Sequence, residues 1–304
     1  MKTPFDEEIT IAAPGRLYLS KIKTPVVIGR RKANKVRLKS PKTFVSKSSK
    51  RFEIESLWPI KTLITSPVTA LPFNAQISIM MDWASRRQSK FVCAANVHML
   101  IEAYEHKELA SVLENADLVT PDGMPLVWMM RQMGVPNQDR IAGMDIFLTL
   151  CQLAPDNNTR IFFLGCDQEV LDQMRKRLES EFPNLQIAGM EPLPFRLLTE
   201  VEDDTLIQKI NRSGAGMVFV ALGCPKQEYW MAQHRGKIQA VMIGLGGVFP
   251  IYAGSKKRAP YWMQKFGLEW LYRLIQEPRR LWHRYWHTNI IFIGLALKQL
   301  LTTS

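Results

Sequence analysis

Val218-Phe219-Val220-Ala221-Leu222-Gly223-Cys224-Pro225-Lys226-Gln227-Glu228 is an apolar run of strand character that stops abruptly at turn residues and then feeds a new apolar-periodic segment. That layout is a strand delivering polar groups to the rim of an α/β sheet, where ligands bind. Gly223 lets the backbone approach a ligand closely, and Pro225 suits the first turn of a helix. The free N–H groups of such a helix start attract anions such as phosphate. Upstream, Val119-Thr120-Pro121-Asp122-Gly123 has the same build, with Asp122 in a Pro-Asp-Gly turn, where its carboxylate can be aimed outward. Together the two stretches point to a carboxylate base beside a phosphate-bearing substrate.

Strand and helix patterns alternate on either side of both stretches. Residues 91–95 read as a strand ending at Asn96-Val97-His98, followed by one helix through Tyr104 and Leu113, a strand at 117–120 and a helix at 125–133. A loop at 134–140 then leads to a helix starting near Gly143. Further on, strands are expected at 160–164, 186–188, 217–222 and 240–243, with helices at 168–181, around 206–211, and at 227–234. Nearer the start, Leu63-Ile64-Thr65 has strand character, and residues 74–86 carry apolar side chains at helical spacing. Regular β-α-β alternation predicts an α/β fold: a Rossmann-like, mostly parallel sheet with helices on both faces. Three regions follow: a basic extension at 1–56 expected to be flexible, an α/β core at 57–254, and a basic, aromatic, helical appendage at 255–304.

A chain of 304 residues that is 46% hydrophobic and 22% charged is globular, and one large α/β domain with appendages accommodates it. Cys93, Cys151, Cys166 and Cys224 form no Cys-x-x-Cys pair, so they read as small buried hydrophobes in a reducing compartment. No zinc site is expected. Residues 1–10 lack the apolar run of a secretory signal, and the strongly apolar stretch at 290–297 is too short to span a bilayer. The net charge of +12 is concentrated at the ends: residues 1–51 hold 14 Lys and Arg against 3 Asp and Glu, and residues 255–304 hold 9 against 2. An anionic partner is therefore expected at the ends, either a lipid surface or, as the lesser reading, nucleic acid. The appendage sets Trp262, Trp270, Tyr272, Trp282, Tyr285 and Trp286 among Lys265, Arg273, Arg279, Arg280 and Arg284, then runs on through Ile290, Ile293, Leu297 and Leu300. That mixture suits the lipid–water interface. Packing on the core or on a neighbouring subunit is the competing reading.

At Asn96, Pro121-Asp122-Gly123, Arg140-Ile141-Ala142-Gly143, the 223–228 segment, Gly244-Leu245-Gly246-Gly247 and Arg258-Ala259-Pro260, the chain closely resembles the WecG/TagA/CpsF glycosyltransferases, glycosyltransferase family 26. The motifs keep their order and spacing over residues 57–284. Members are inverting enzymes that move a sugar, commonly N-acetylmannosamine, from a UDP-sugar to a polyprenyl-diphosphate-linked sugar at the inner membrane face. The resemblance implies a cytoplasmic protein peripheral to the plasma membrane, serving cell-surface polysaccharide synthesis, with oligomeric state left open. It implies Asp122 as general base, with Gly123 and Gly143 among the substrate-binding residues. Asn96 would hold a sugar hydroxyl or acetamido group, unless it is simply a helix N-cap. Arg140 would lie near the diphosphate, Arg258 would bind substrate, and Gly223, Pro225, Lys226, Gln227 and Glu228 would face the nucleotide. Arg273, Arg280 and Arg284 resemble tail arginines that reach the active site when the appendage folds over it. No cofactor or metal is implied, so cationic side chains and helix N-termini would neutralise the leaving diphosphate. Two positions depart from the family pattern: Ala94 stands where Thr is usual, and Pro250 where Asp is usual. They favour, as an alternative, a catalytically weakened peripheral protein that still binds a sugar nucleotide. A Rossmann dehydrogenase is opposed by the lack of a Gly-x-Gly-x-x-Gly opening a first βαβ unit.

Overall fold

The computed structural model describes residues 58–303 apart from 195 and 197; the expected basic extension at 1–56 lies outside the described residues. The described chain begins with an antiparallel hairpin, β1 (Ile60–Leu63) and β2 (Ser66–Thr69). A strand through Leu63-Ile64-Thr65 was the expectation. Instead Ile64 takes φ 60° at the first position of a two-residue turn, a place glycine usually fills. Gln299, near the far end of the chain, holds this turn. Its Oε1 accepts from the Ile64 N–H at 2.6 Å, and its Nε2 donates to the Thr62 carbonyl at 2.8 Å.

From there elements alternate as expected: α1 (Phe73–Ser85), β3 (Lys90–Ala95), α2 (Val97–Glu105), α3 (Lys107–Glu114), β4 (Leu118–Pro121), α4 (Met124–Gln132), α5 (Gly143–Leu153), β5 (Ile161–Gly165), α6 (Gln168–Glu181), β6 (Ile187–Glu191), α7 (Glu200–Arg212), β7 (Met217–Ala221), α8 (Lys226–His234) and β8 (Val241–Gly244). The helix expected across 96–113 is two helices, broken where His106 is extended at φ −121°, ψ 108°. The break has a packing cause. Nine residues separate Leu100 from Leu109, which puts them on opposite sides of a straight helix, yet both are fully buried.

Strands β3 to β8 form one sheet in the order β4-β3-β8-β7-β5-β6, every neighbouring pair parallel. Alternate residues of the central strands feed two cores. Phe91, Cys93, Val218, Val220 and Met242 face one side, while Val92, Met217, Phe219, Val241 and Ile243 face the other. Burial on both faces explains the unbroken apolar runs. β5 leads outward to β6 whereas β7 leads inward to β8, so the crossovers diverge between β5 and β7, the place where doubly wound sheets open a crevice.

The tail forms α9 (Val248–Tyr252), α10 (Tyr261–Lys265), α11 (Glu269–Gln276) and α12 (Pro278–Thr303). α12 has two apolar sides. Leu281, Phe292 and Ala296 are buried, the latter two within the same core as Leu100 of α2. The opposite side presents Trp282, Trp286, Ile290, Ile293, Leu297 and Leu301, each more than half exposed. Leu300, expected in that stripe, packs toward the core, and Leu301 takes its place. No helix among the described residues is long and apolar enough to cross a membrane.

Candidate active site

Parallel pairing puts the carboxyl ends of all six sheet strands on one rim, so Asn96, Asp122, Gly223 and Gly246 follow their strands to the same edge. Asp122 stands just after β4, tied back by its N–H to the Ala95 carbonyl at 2.8 Å. Its Oδ1 accepts from the Gly143 N–H, the first residue of α5, at 3.2 Å. Burial pushes its carboxyl up to about 6; the charge of Glu269 adds to this, and Arg273, Arg140 and the Gly143 N–H oppose it. Such a group is ionised at neutral pH yet retains a strong affinity for a proton. Gly143 is a glycine for space, since a Cβ there would lie 3.3 Å from both Leu245 and Val248. Gly123, by contrast, has ordinary room beside Asn96.

Asn96 caps α2, its Oδ1 accepting from the Met99 N–H at 3.2 Å. Arg140 is largely buried and reaches two carboxylates, Glu269 at 2.7 Å and Asp145 at 3.7 Å. Asp145 also holds Arg258 at 2.8 Å. The result is an alternating cluster of three carboxylates and three arginines, with Arg273 completing it.

The 223–228 segment differs from expectation. Gly223 has φ 78° and open space where a Cβ would stand, so it serves the turn and leaves the rim uncovered. Pro225 precedes α8, and Lys226 is exposed. Gln227 and Glu228, expected to face a nucleotide, turn inward and are buried. Gln227 Oε1 accepts from the Gly223 N–H at 3.2 Å and the Gly246 N–H at 3.0 Å, and its Nε2 donates to Glu228 at 2.8 Å. This amide explains the neighbouring glycines: a Cβ on Gly244 or Gly246 would come within 2.8 Å or 2.5 Å of it. Burial lifts Glu228 to about 7 against the hydrogen bonds it accepts. The pair is a brace that pins the β7 and β8 loops to each other.

Of the three tail arginines, Arg273 reaches this rim, its guanidinium 3.4 Å from where a Cβ of Gly247 would be. Arg280 pairs with Glu277, and Arg284 lies over the Tyr285 ring near His98 of α2. Arg280 thus neighbours the cleft of Arg273 through Glu277, whereas Arg284 lies elsewhere. Arg273, Lys256 and Lys257 line a cleft of about 90 Å³ with Gly246, Gly247 and Pro250, and one carboxylate, Glu277, shares it, held by Lys256 at 2.9 Å. Cations around exposed glycine backbone suit a phosphate group. Ala94 pairs in register with Thr120, whose buried hydroxyl has no hydrogen-bond partner among the described residues. Among the described residues no group of three or more His, Cys, Asp or Glu side chains is placed to hold a metal ion.

The sequence model of the Glycosyl transferase WecG/TagA/CpsF family matches residues 61–304, reaching from the β1–β2 hairpin through α12. The chain belongs to that family. Among named relatives of this transferase, the N-acetylglucosaminyldiphosphoundecaprenol N-acetyl-beta-D-mannosaminyltransferases of Bacillus spizizenii and Bacillus subtilis are each 35% identical, over 72% of this chain and 86% of theirs. The Staphylococcus aureus MW2 protein of the same name is 29% identical over 63% of this chain and 74% of its own. Sequence reasoning about the transferase missed Glu269 and Asp145, which carry no local motif, and Gly267, whose φ of 70° only the fold reveals.

Proposed function

We propose that the protein transfers an N-acetylhexosamine, N-acetylmannosamine by analogy with its relatives, from a UDP-sugar to a polyprenyl-diphosphate-linked saccharide with inversion. The observation that carries this reading is Asp122 on the same rim as the Gly246-Gly247 loop, with Arg273 acting on both. One strand, β3, lies between β4 and β8, so two spacings of ~4.8 Å, about 10 Å in all, leave room for a hexose ring between a base and a phosphate. In this reading the acceptor hydroxyl oxygen attacks the anomeric carbon from the face opposite the diphosphate. Its proton passes to the Asp122 carboxylate as the carbon–oxygen bond to the diphosphate breaks and the electron pair leaves with UDP. Arg140, Arg273 and Lys257, with Lys256 shared with Glu277, meet the growing negative charge, so the reaction is proposed to need no divalent ion. Gln227 and Glu228 act by bracing the loops. Arg258 steadies Asp145, and Asn96 offers its amide group to the sugar.

The exposed stripe of α12, with Trp270 and Trp262, is proposed to rest on the inner face of the plasma membrane, where such an acceptor is anchored. The deciding experiment incubates the full chain with UDP-N-acetylhexosamines and N-acetylglucosaminyl-diphosphopolyprenol, with and without EDTA, and reads the product anomer by NMR. A β-linked product from an α-linked donor, insensitive to EDTA and lost in Asp122→Asn, is expected. Donor binding without turnover would favour the weakened, sugar-nucleotide-binding reading, which the engagement of Arg140 by Glu269 also suits.

A further inference from the structure

Glu269, the first residue of α11, meets the core at its chemical centre. Three observations converge on it. First, Gly267, just before α11, has φ 70°, and a Cβ there would fall 2.7 Å from the Cβ of Met124, two residues beyond Asp122. The appendage thus presses directly on the catalytic turn. Second, Glu269 accepts from Arg140 Nη1 at 2.7 Å with both side chains mostly shielded from water, 25% and 15% exposed. Third, Glu269 and Arg273 are four residues apart on one helix, hence on one side, and both charges are felt at Asp122.

We propose that Glu269 is a positioning residue for the transfer: it seats α11 on the core through Arg140, aims Arg273 at the diphosphate, and sets a negative charge opposite Asp122. This rests on Asp122 being the base. The charges facing Asp122 are Glu269 and Arg273 from α11 and Arg140 from the loop before α5, with the Gly143 N–H of α5 beside them. Behind Arg140 stand Asp145 of α5 and Arg258. Glu269 offsets the two arginines, which alone would draw the base toward a weak, fully ionised carboxylate. An unengaged Arg140 would also be left mostly buried beside a single distant carboxylate.

The test uses the full chain in detergent and two readouts. In Glu269→Gln an oxygen remains for Arg140 but the charge is gone. The acid limb of kcat/KM is expected to move down by about one pH unit. We also expect kcat to drop about tenfold or more while the donor KM changes little, the mark of an interaction made in the transition state. In Glu269→Ala, amide hydrogen exchange across residues 261–276 is expected to rise, because the seat is lost. Unchanged exchange in Glu269→Ala, or an unmoved acid limb in Glu269→Gln, would overturn the proposal. Should the alanine variant not fold, Glu269→Asp takes its place: a limb kept in Asp and moved in Gln supports the charge role, and identical behaviour of the two overturns it. If the wild-type chain turns over no UDP-N-acetylhexosamine, the transferase reading fails by itself, and hydrogen exchange still decides whether Glu269 seats the appendage.

Discussion

Partial burial of the Asp122 carboxyl with Glu269 nearby raises its affinity for a proton only in the folded state, so ionising it costs stability. With the folded value near 6 against an ordinary 3.8, the contribution is fully present below about pH 4 and disappears as pH rises through 6. Asp122→Asn keeps an oxygen for the Gly143 N–H and cannot ionise. It is expected to stabilise the protein by about 1–3 kcal/mol at pH 8 and by nothing near pH 4, read from urea unfolding at both. The same variant should lose about 10²–10⁴ in kcat, and the wild-type kcat/KM should fall below about pH 6. Gln227 makes the opposite case. Gln227→Leu leaves the Gly223 and Gly246 N–H groups without their acceptor and is expected to cost about 1–3 kcal/mol in thermal or chemical unfolding. Asp122 was legible in the sequence because a Pro-Asp-Gly turn after an apolar run announces a strand end. Gln227 was found but its direction was not, since only the fold shows that Gly244 of β8 and Gly246 of the loop after it make room for its amide. Glu269 gave no sign, being one acid in an aromatic helix whose partner lies 129 residues away.

The strands of the sheet were readable because burial on both faces makes each a continuous apolar run, and the turn residues at their ends are distinctive. The hairpin was not. Its turn uses Ile64 and Thr65, without glycine or asparagine, and is held by a side chain from α12 that no local window contains. The α2–α3 break was equally hidden, because the apolar spacing within each helix is regular and only the phase between them changes. Helix α12 invites a direct test of its two sides. Phe292→Ala removes a ring buried against the core and is expected to cost about 3–5 kcal/mol. Leu297→Gln, on the exposed side, should shift stability by no more than about 0.5 kcal/mol yet weaken sedimentation with anionic vesicles. If both variants lowered the melting temperature alike and neither altered vesicle binding, the exposed stripe would have no lipid role.

Over the whole molecule, charge is unevenly shared: the last fifty residues carry 9 basic side chains against 2 acidic ones. Attachment to an anionic bilayer should therefore weaken as salt is raised, because exposed charges are screened over about 10 Å at 0.1 M. A residual, salt-resistant fraction is expected from the indole and aliphatic side chains of α12, and Trp282→Ser with Trp286→Ser should abolish it, as read by flotation at low and high ionic strength. The general basic character of the tail was plain from composition, but its integration into the core was not, and that integration has a practical cost. Gln299 stitches the last turns of the polypeptide to the hairpin that opens the described chain, sealing the Ile64 amide and the Thr62 carbonyl. Cutting the tail away therefore removes two hydrogen bonds that hold the hairpin turn as well as the arginines. An inactive shortened protein would report a loosened scaffold as readily as a missing lid, and single side-chain exchanges are the way to tell them apart.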